Sequence, residues 1–253
     1  MAAERAGGIR RLRRDLKATA GWWAFRTARG RFAGAAVRWV FAHAARALPV
    51  RRVEETARVI AFHHPRPGWP VHVLLVPRRG IRALTALTDT DGPYLAAMFD
   101  AASRLSRTPH VGVDPVAVVI NGGTSQDIAQ LHAHLIAGPA VPRYARPPLA
   151  IPIDAVWSGR IVTFPHPVPA RMTHFVVRLA PDDPGETGFL GMEADLVRDL
   201  VLTIRHLVGT AAPPLPGWSL VASTADGTLH LSCLHVVSGD RIDRGRAAPV
   251  QSS

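Results

Sequence analysis

The 253-residue chain resembles itself at an offset of roughly one hundred residues, and this self-similarity restricts its fold more than any other feature. Phe62 and His64-Pro65 correspond to Phe164 and His166-Pro167, and His72-Val73-Leu74-Leu75-Val76 corresponds to His174-Phe175-Val176-Val177-Arg178. Leu95, Met98, Phe99 and Ala102 fall at helical spacing, and the same offset brings up Val197, Leu200, Val201 and Ile204. Val116 to Asn121 lines up with Trp218 to Ser223, and His134 to Gly138 with His235 to Gly239. Each copy reads as strand, strand, helix, strand, strand, so an α+β fold with two repeats is expected. The copies differ at one place that bears on chemistry. Cys233 stands opposite His132 and Leu231 opposite Gln130, so the second copy keeps a core and loses those polar groups.

In the first copy, Gln126-Asp127-Ile128-Ala129-Gln130-Leu131-His132-Ala133-His134-Leu135-Ile136 alternates polar and apolar residues. On a strand, a period of two lines one face, which would send Gln130, His132 and His134 into one pocket with Leu131, Ala133 and Leu135 behind them. Imidazoles and an amide suit anion chemistry. A neutral imidazole can attack phosphorus, an imidazolium can neutralise a phosphate, and an amide can donate to a phosphoryl oxygen. Zinc chelation by His-x-His ranks below phosphate chemistry, because no Cys or carboxylate lies at a complementary spacing nearby, and neither a metal nor another cofactor is expected. A solitary histidine such as His63 or His166 is more often a hydrogen-bonded packing residue than a catalyst.

This alternating element, the preceding Asn121-Gly122-Gly123 and the upstream Pro70-Val71-His72-Val73-Leu74-Leu75-Val76-Pro77 resemble the histidine triad (HIT) superfamily of nucleotide hydrolases and transferases. The resemblance runs from about Arg52 to Pro139. It includes Ala61-Phe62-His63-His64-Pro65, which looks like the strand end that borders the nucleoside in that family, placing His63 and His64 near substrate. The usual pattern has three alternating histidines. Gln130 in the first place resembles the diadenosine tetraphosphate phosphorylase branch, whereas galactose-1-phosphate uridylyltransferases put Gln in the third place, where this chain keeps His134.

The resemblance implies that His132 attacks the phosphorus on the nucleoside side and forms a covalent nucleotidyl-histidine. His134, His72 and Gln130 would hold non-bridging oxygens, Asn121 would orient the nucleophile or contact phosphate, and a backbone carbonyl would fix the nucleophile's other nitrogen. Gln126 matches the glutamine that opens the motif. Asp127 replaces a common serine, and a carboxylate there repels phosphate unless it turns away, so it would alter which leaving group is tolerated. A nucleotide-containing small molecule is the implied substrate, acted on by a hydrolase or nucleotidyltransferase. Two other readings use the same pocket: a non-catalytic nucleotide or phospholipid-headgroup binding protein, and a tailoring enzyme of secondary metabolism. Single-repeat relatives form homodimers whose sheets join edge to edge. Duplication followed by decay of the second site would build that arrangement within one chain, as a monomeric pseudo-dimer.

The expected organisation is a basic arm at 1–51, an active repeat at 52–140, a proline-rich linker at 141–154, a degenerate repeat at 155–242 and a tail at 243–253. Residues 1–52 hold thirteen Lys or Arg against Glu4 and Asp15, an excess that equals the chain's formal net charge of +11. The high charge therefore describes the arm. Arg31 to Leu48 reads as an amphipathic helix, with Arg31, Arg38 and Arg46 on one side and Val37, Val40, Phe41, Ala44 and Leu48 on another. With Trp22, Trp23 and Phe25 before it, this arm suits an anionic membrane surface, where each cation adds about 1 kcal/mol. An alternative has the helix docked on the sheet with its arginines solvated or lining the phosphate pocket. Nucleic acid is a lesser option, because a single cysteine excludes a zinc finger. Arginines interrupt every apolar run before about 20 residues, and the apolar stretch after Arg13-Arg14 ends at Arg26, so neither a membrane span nor an export signal is expected. The expected location is cytoplasmic, with the arm able to meet the inner membrane face. Cys233 is the sole cysteine, which excludes an intramolecular disulfide, and it reads as a small buried residue filling the space an imidazole would occupy.

Overall fold

The computed structural model describes residues 39, 50–108, 115–142, 151–167, 169, 171, 173–180, 189, 193–212, 214–223, 229, 231, 233–238 and 242–244. The expected arm helix lies outside them apart from Trp39, which is helical and exposed. Among the described residues ten strands form one antiparallel sheet. In chain order they are β1 (Arg52–Glu55), β2 (Val59–His63), β3 (Val71–Pro77), β4 (Val116–Gly123), β5 (Ala133–Ala137), β6 (Val156–Ser158), β7 (Ile161–Pro165), β8 (His174–Leu179), β9 (Gly217–Ser223) and β10 (Cys233–Ser238). Their spatial order is β1-β2-β3-β5-β4-β9-β10-β8-β7-β6, so the second five strands mirror the first five about the β4–β9 contact. That contact runs in register from Ala117↔Ser223 to Gly123↔Gly217.

Two helices cover one face: α1 (Gly92–Ser106) and α2 (Ala194–Thr210). A capping box formed by Thr88 and Asp91 precedes α1, and a proline sits in its first turn, where a missing N–H costs nothing. Leu95, Met98, Phe99, Ala102 and Leu105 of α1 and Leu196, Leu200, Val201, Ile204 and Leu207 of α2 are buried against Val73, Leu75, Leu135, Val118, Leu220 and Val236. Alternate residues of those strands point to the other face. There Ala117, Val119, Ile136, Val221 and Val237 pack with Trp69, Val141 and Ile242. That second face also carries the histidines.

Two glycines at the seam are required by space and backbone. A Cβ on Gly122 would lie 2.1 Å from the Trp218 ring, and Gly123 adopts φ +58° with Pro216 O at 2.1 Å from where its Cβ would be. The expected strand over 126–136 is shorter than the alternation implied. β5 begins at Ala133, and residues 124–132 lie outside any strand, because their polar groups bond to loop backbone instead of a strand ladder: Leu131 N–H donates to Ile81 O at 2.6 Å and Gln126 Nε2 to Arg82 O at 2.7 Å. Among the described residues no helix is long and apolar enough to cross a membrane. Gly122→Ala should destabilise the protein by about 1–3 kcal/mol or more through overpacking against Trp218; urea unfolding read by Trp fluorescence would measure it, and an unchanged midpoint would contradict the packing described.

Candidate active site

His132 and His134 lie two residues apart at the start of β5, with ring centroids 4.9 Å apart in an edge-on arrangement. β3 is the neighbour of β5, and its register pairs His72 with Ile136 and Leu74 with His134, which brings the His72 ring within 5.2 Å of the His134 ring. His64, just past β2, stacks on His72 with centroids 4.2 Å apart and planes at 13°. The pleat explains why three separate segments contribute to one cluster. The histidines occupy same-face positions on adjacent strands, opposite the helices.

Hydrogen bonds determine the tautomers. His132 Nδ1 lies 2.7 Å from Gln130 O; the carbonyl can only accept, so Nδ1 carries the proton and Nε2 keeps its lone pair. Gly68 N–H donates to His72 Nδ1 at 3.1 Å, so the neutral His72 ring has its proton on Nε2. That proton faces His134 Nδ1 at 2.9 Å, which leaves the proton of a neutral His134 on Nε2. His134 and His72 are buried, whereas His132 and His64 are half-buried and reachable from solvent.

Other expected site residues have different contacts from those the spacing implied. Gln130 is buried, and its amide nitrogen donates to Arg79 O at 3.1 Å and Leu131 O at 3.3 Å, so it braces the loop that carries His132. Gln126 does similar work, donating to Arg82 O at 2.7 Å and Ile128 O at 2.8 Å. Asn121 is engaged away from His132. Its amide nitrogen donates to Asp243 Oδ1 at 3.0 Å, and its oxygen accepts from Ser219 Oγ at 2.8 Å. His63 ends β2 with an exposed side chain, one residue out of phase with the cluster. Asp127 turns toward Arg244, whose guanidinium lies 3.3 Å from its carboxylate, so its charge is neutralised.

Three contributors escaped the motif: Gly68, Asp243 and Arg244. Asp243 is buried, with Oδ2 3.8 Å from His134 Nε2. It belongs to the short 3-10 turn Ile242–Arg244, and the expected boundary between repeat and tail at 242/243 cuts through that turn. No motif marks Asp243 and Arg244, since they approach the first site from more than 100 residues further along the chain, and Gly68 acts through its backbone N–H.

A second histidine cluster mirrors the first. His166 stacks on His174 at 4.2 Å and 13°, and His174 Nε2 lies 2.9 Å from His235 Nδ1. Cys233 is buried, with Sγ 3.9 Å from His235 Nε2. Burial, followed by repulsion from His235 and His166, lowers His174 to about 3. Burial and then His166 lower His235 to about 3. A base so weak cannot hold a proton taken from a thiol, so Cys233 has no activating partner in His235. In each cluster one nitrogen per ring lies within 4.8 Å of the others, a separation a transition metal could bridge. Sequence spacing hides these sets, because the three rings of each come from three separate segments.

The HIT domain profile matches residues 45–141. An uncharacterised HIT-like protein of Synechocystis sp. is 33% identical over 95 residues, covering 37% of this chain and 82% of the relative. This chain belongs to the HIT family. Protein HitA of Neisseria gonorrhoeae is 26% identical over 98 residues, covering 38% of this chain and 91% of its own length. Among solved structures, an ADP-glucose phosphorylase from Arabidopsis thaliana with bound ADP-glucose has a TM-score of 0.53 at 9% identity, over 79% of each chain. A galt-like protein from the same plant also has a TM-score of 0.53, at 10% identity, over 79% of this chain and 81% of that one. These two likenesses extend well beyond the matched HIT segment and concern the fold.

The lowered pKa values of His174 and His235 have a sign. Both rings are neutral when folded and bind protons near pH 6.5 when unfolded, so the stability they permit is fully present above pH 6.5 and lost as pH falls toward about 3. Each ring should contribute a slope of up to about 1.4 kcal/mol per pH unit in that window. Urea unfolding of wild type and His235→Gln between pH 7.5 and 5 should give a shallower loss for the variant; equal slopes would contradict the assignment.

Proposed function

We propose that the first half is a nucleotide-phosphate hydrolase or nucleotidyltransferase that works through a covalent nucleotidyl-histidine on His132. The observation that carries this reading is the His132 Nδ1–H bond to Gln130 O, because it presents the Nε2 lone pair beside a cluster of imidazoles. His132 Nε2 attacks the phosphorus next to the nucleoside, the N–P bond forms, and the bond to the leaving-group oxygen breaks with its electron pair. Water or inorganic phosphate then attacks the same phosphorus, which frees the nucleotide and restores the lone pair. His134 supplies a donor to the developing charge on the non-bridging oxygens, His72 holds His134 in that tautomer by donating to its Nδ1, and His64 borders the nucleoside. Gln130 and Gln126 act by holding the nucleophile's loop, and Asn121 by holding Asp243.

Membership of a family that includes structures described as HIT hydrolases supports this class of chemistry, and the fold shared with an ADP-glucose phosphorylase is consistent with it. The mirrored strand order and the matched stacking geometry support descent by duplication, with the two halves forming an intramolecular pseudo-dimer and the second lacking a nucleophile. The reading places the protein in the cytoplasm, with the basic arm meeting an anionic membrane surface.

Wild type mixed with labelled dinucleoside polyphosphates, phosphoramidates, nucleotide sugars and CDP-lipids, then quenched, should trap a nucleotide adduct on His132. His132→Ala should abolish both adduct and turnover, and His72→Ala should lower turnover by about 10–1000-fold. Nucleotide binding without any adduct across that panel would favour the binding-only reading instead.

A further inference from the structure

The turn Ile242–Arg244 follows the last strand of the second half, yet its hydrogen bonds and ion pairs reach into the first. Ile242 packs among Trp69, Val119, Ile136 and Val141, and its carbonyl accepts from Trp69 Nε1 at 3.0 Å. Gly68 admits the turn so closely that a Cβ there would meet Asp243 O at 2.9 Å. Arg244 pairs with Asp127 on the loop before the nucleophile. Four contacts of different kinds thus hold the Asp243 carboxylate at Asn121 and beside His134.

We infer that Asp243 is a positioning residue for the first site, delivered by the second half, whose carboxylate keeps the His134 proton on Nε2. This rests on the nucleotidyl-His132 reading for its catalytic consequence, while the tautomer itself follows from geometry alone. The chain of donors runs in one direction, from Gly68 N–H to His72 Nδ1, from His72 Nε2–H to His134 Nδ1, and from His134 Nε2–H toward Asp243 Oδ2. At 3.8 Å the last step is an electrostatic contact, longer than a hydrogen bond, so the N–H can turn to an incoming phosphoryl oxygen. The Asn121 and Ser219 bonds prevent the carboxylate from following it. The second cluster shows the contrast. At the offset that sets Cys233 opposite His132, the partner of Asp243 is Pro142, which has no carboxylate to offer.

A fixed negative charge beside a phosphate site weakens ground-state binding of the anion, and it speeds the reaction only through what it does in the transition state. Asp243→Asn separates these effects, because an amide oxygen can still accept from Asn121 while the charge is gone. Nitrogen-15 ring spectra of the wild-type protein should show His134 as the Nε2–H tautomer, and in Asp243→Asn a population with the proton on Nδ1. With labelled diadenosine tetraphosphate, adduct formation on His132 should slow by about 10-fold or more in the variant. AMP should bind the variant at least as tightly as wild type.

An Nδ1–H tautomer of His134 in wild type would overturn the inference. So would variant adduct formation within about 2-fold of wild type, or parallel losses of AMP affinity and thermal stability, which a purely structural carboxylate would produce. If wild type forms no adduct while the ring spectra behave as stated, the covalent reading fails and the role of Asp243 in setting the tautomer stands.

Discussion

The pairing of β4 with β9 joins two half-sheets into one, and the site depends on that seam in two ways. It aligns Asn121 directly across from Ser219, so a residue of the second half fixes the side chain that grips Asp243. It also sets the far end of β10 close enough to β5 for a short turn to reach the first histidine cluster. Gly122 and Gly123 make this approach possible, since any side chain there would strike Trp218 or Pro216. Sheet formation and assembly of the candidate site are thus one event.

The two clusters share ring stacking and the imidazole–imidazole bond, yet differ in electrostatics. In the second, burial and the neighbouring imidazoles hold His174 and His235 neutral, with Cys233 at the position that His132 takes in the first. In the first, Asp243 lies beside His134, and His132 is partly open to solvent. The same scaffold therefore carries a buried, neutral imidazole set in one half and a partly open set beside a carboxylate in the other. Retaining a second half without a nucleophile has a physical rationale, because it closes the sheet edge and contributes Ser219, Asp243 and Arg244 to the first half.

Much was legible in the chain itself. The offset near one hundred residues implied two copies of one α+β unit, and the spacing of His132 and His134 placed both rings on one side. The upstream His72 was assigned through the resemblance to the histidine triad family, and the register of β3 with β5 brings its ring to His134. Gln130 was misplaced because the alternation continues past the point where the strand ends, and the local backbone offers its amide nearer partners in Arg79 O and Leu131 O. Asn121 was recognised as a site residue, while its partner Asp243 was assigned to a tail.

Sequence alone determined the α+β character and the face that residues of regular period occupy, because these follow from local periodicity and side-chain chemistry. Tertiary structure alone decided the tautomers, the neutralisation of Asp127 by Arg244 and the entry of Asp243 into the first site. Those depend on distances between groups up to 122 residues apart, and such distances exist only once the strands have paired.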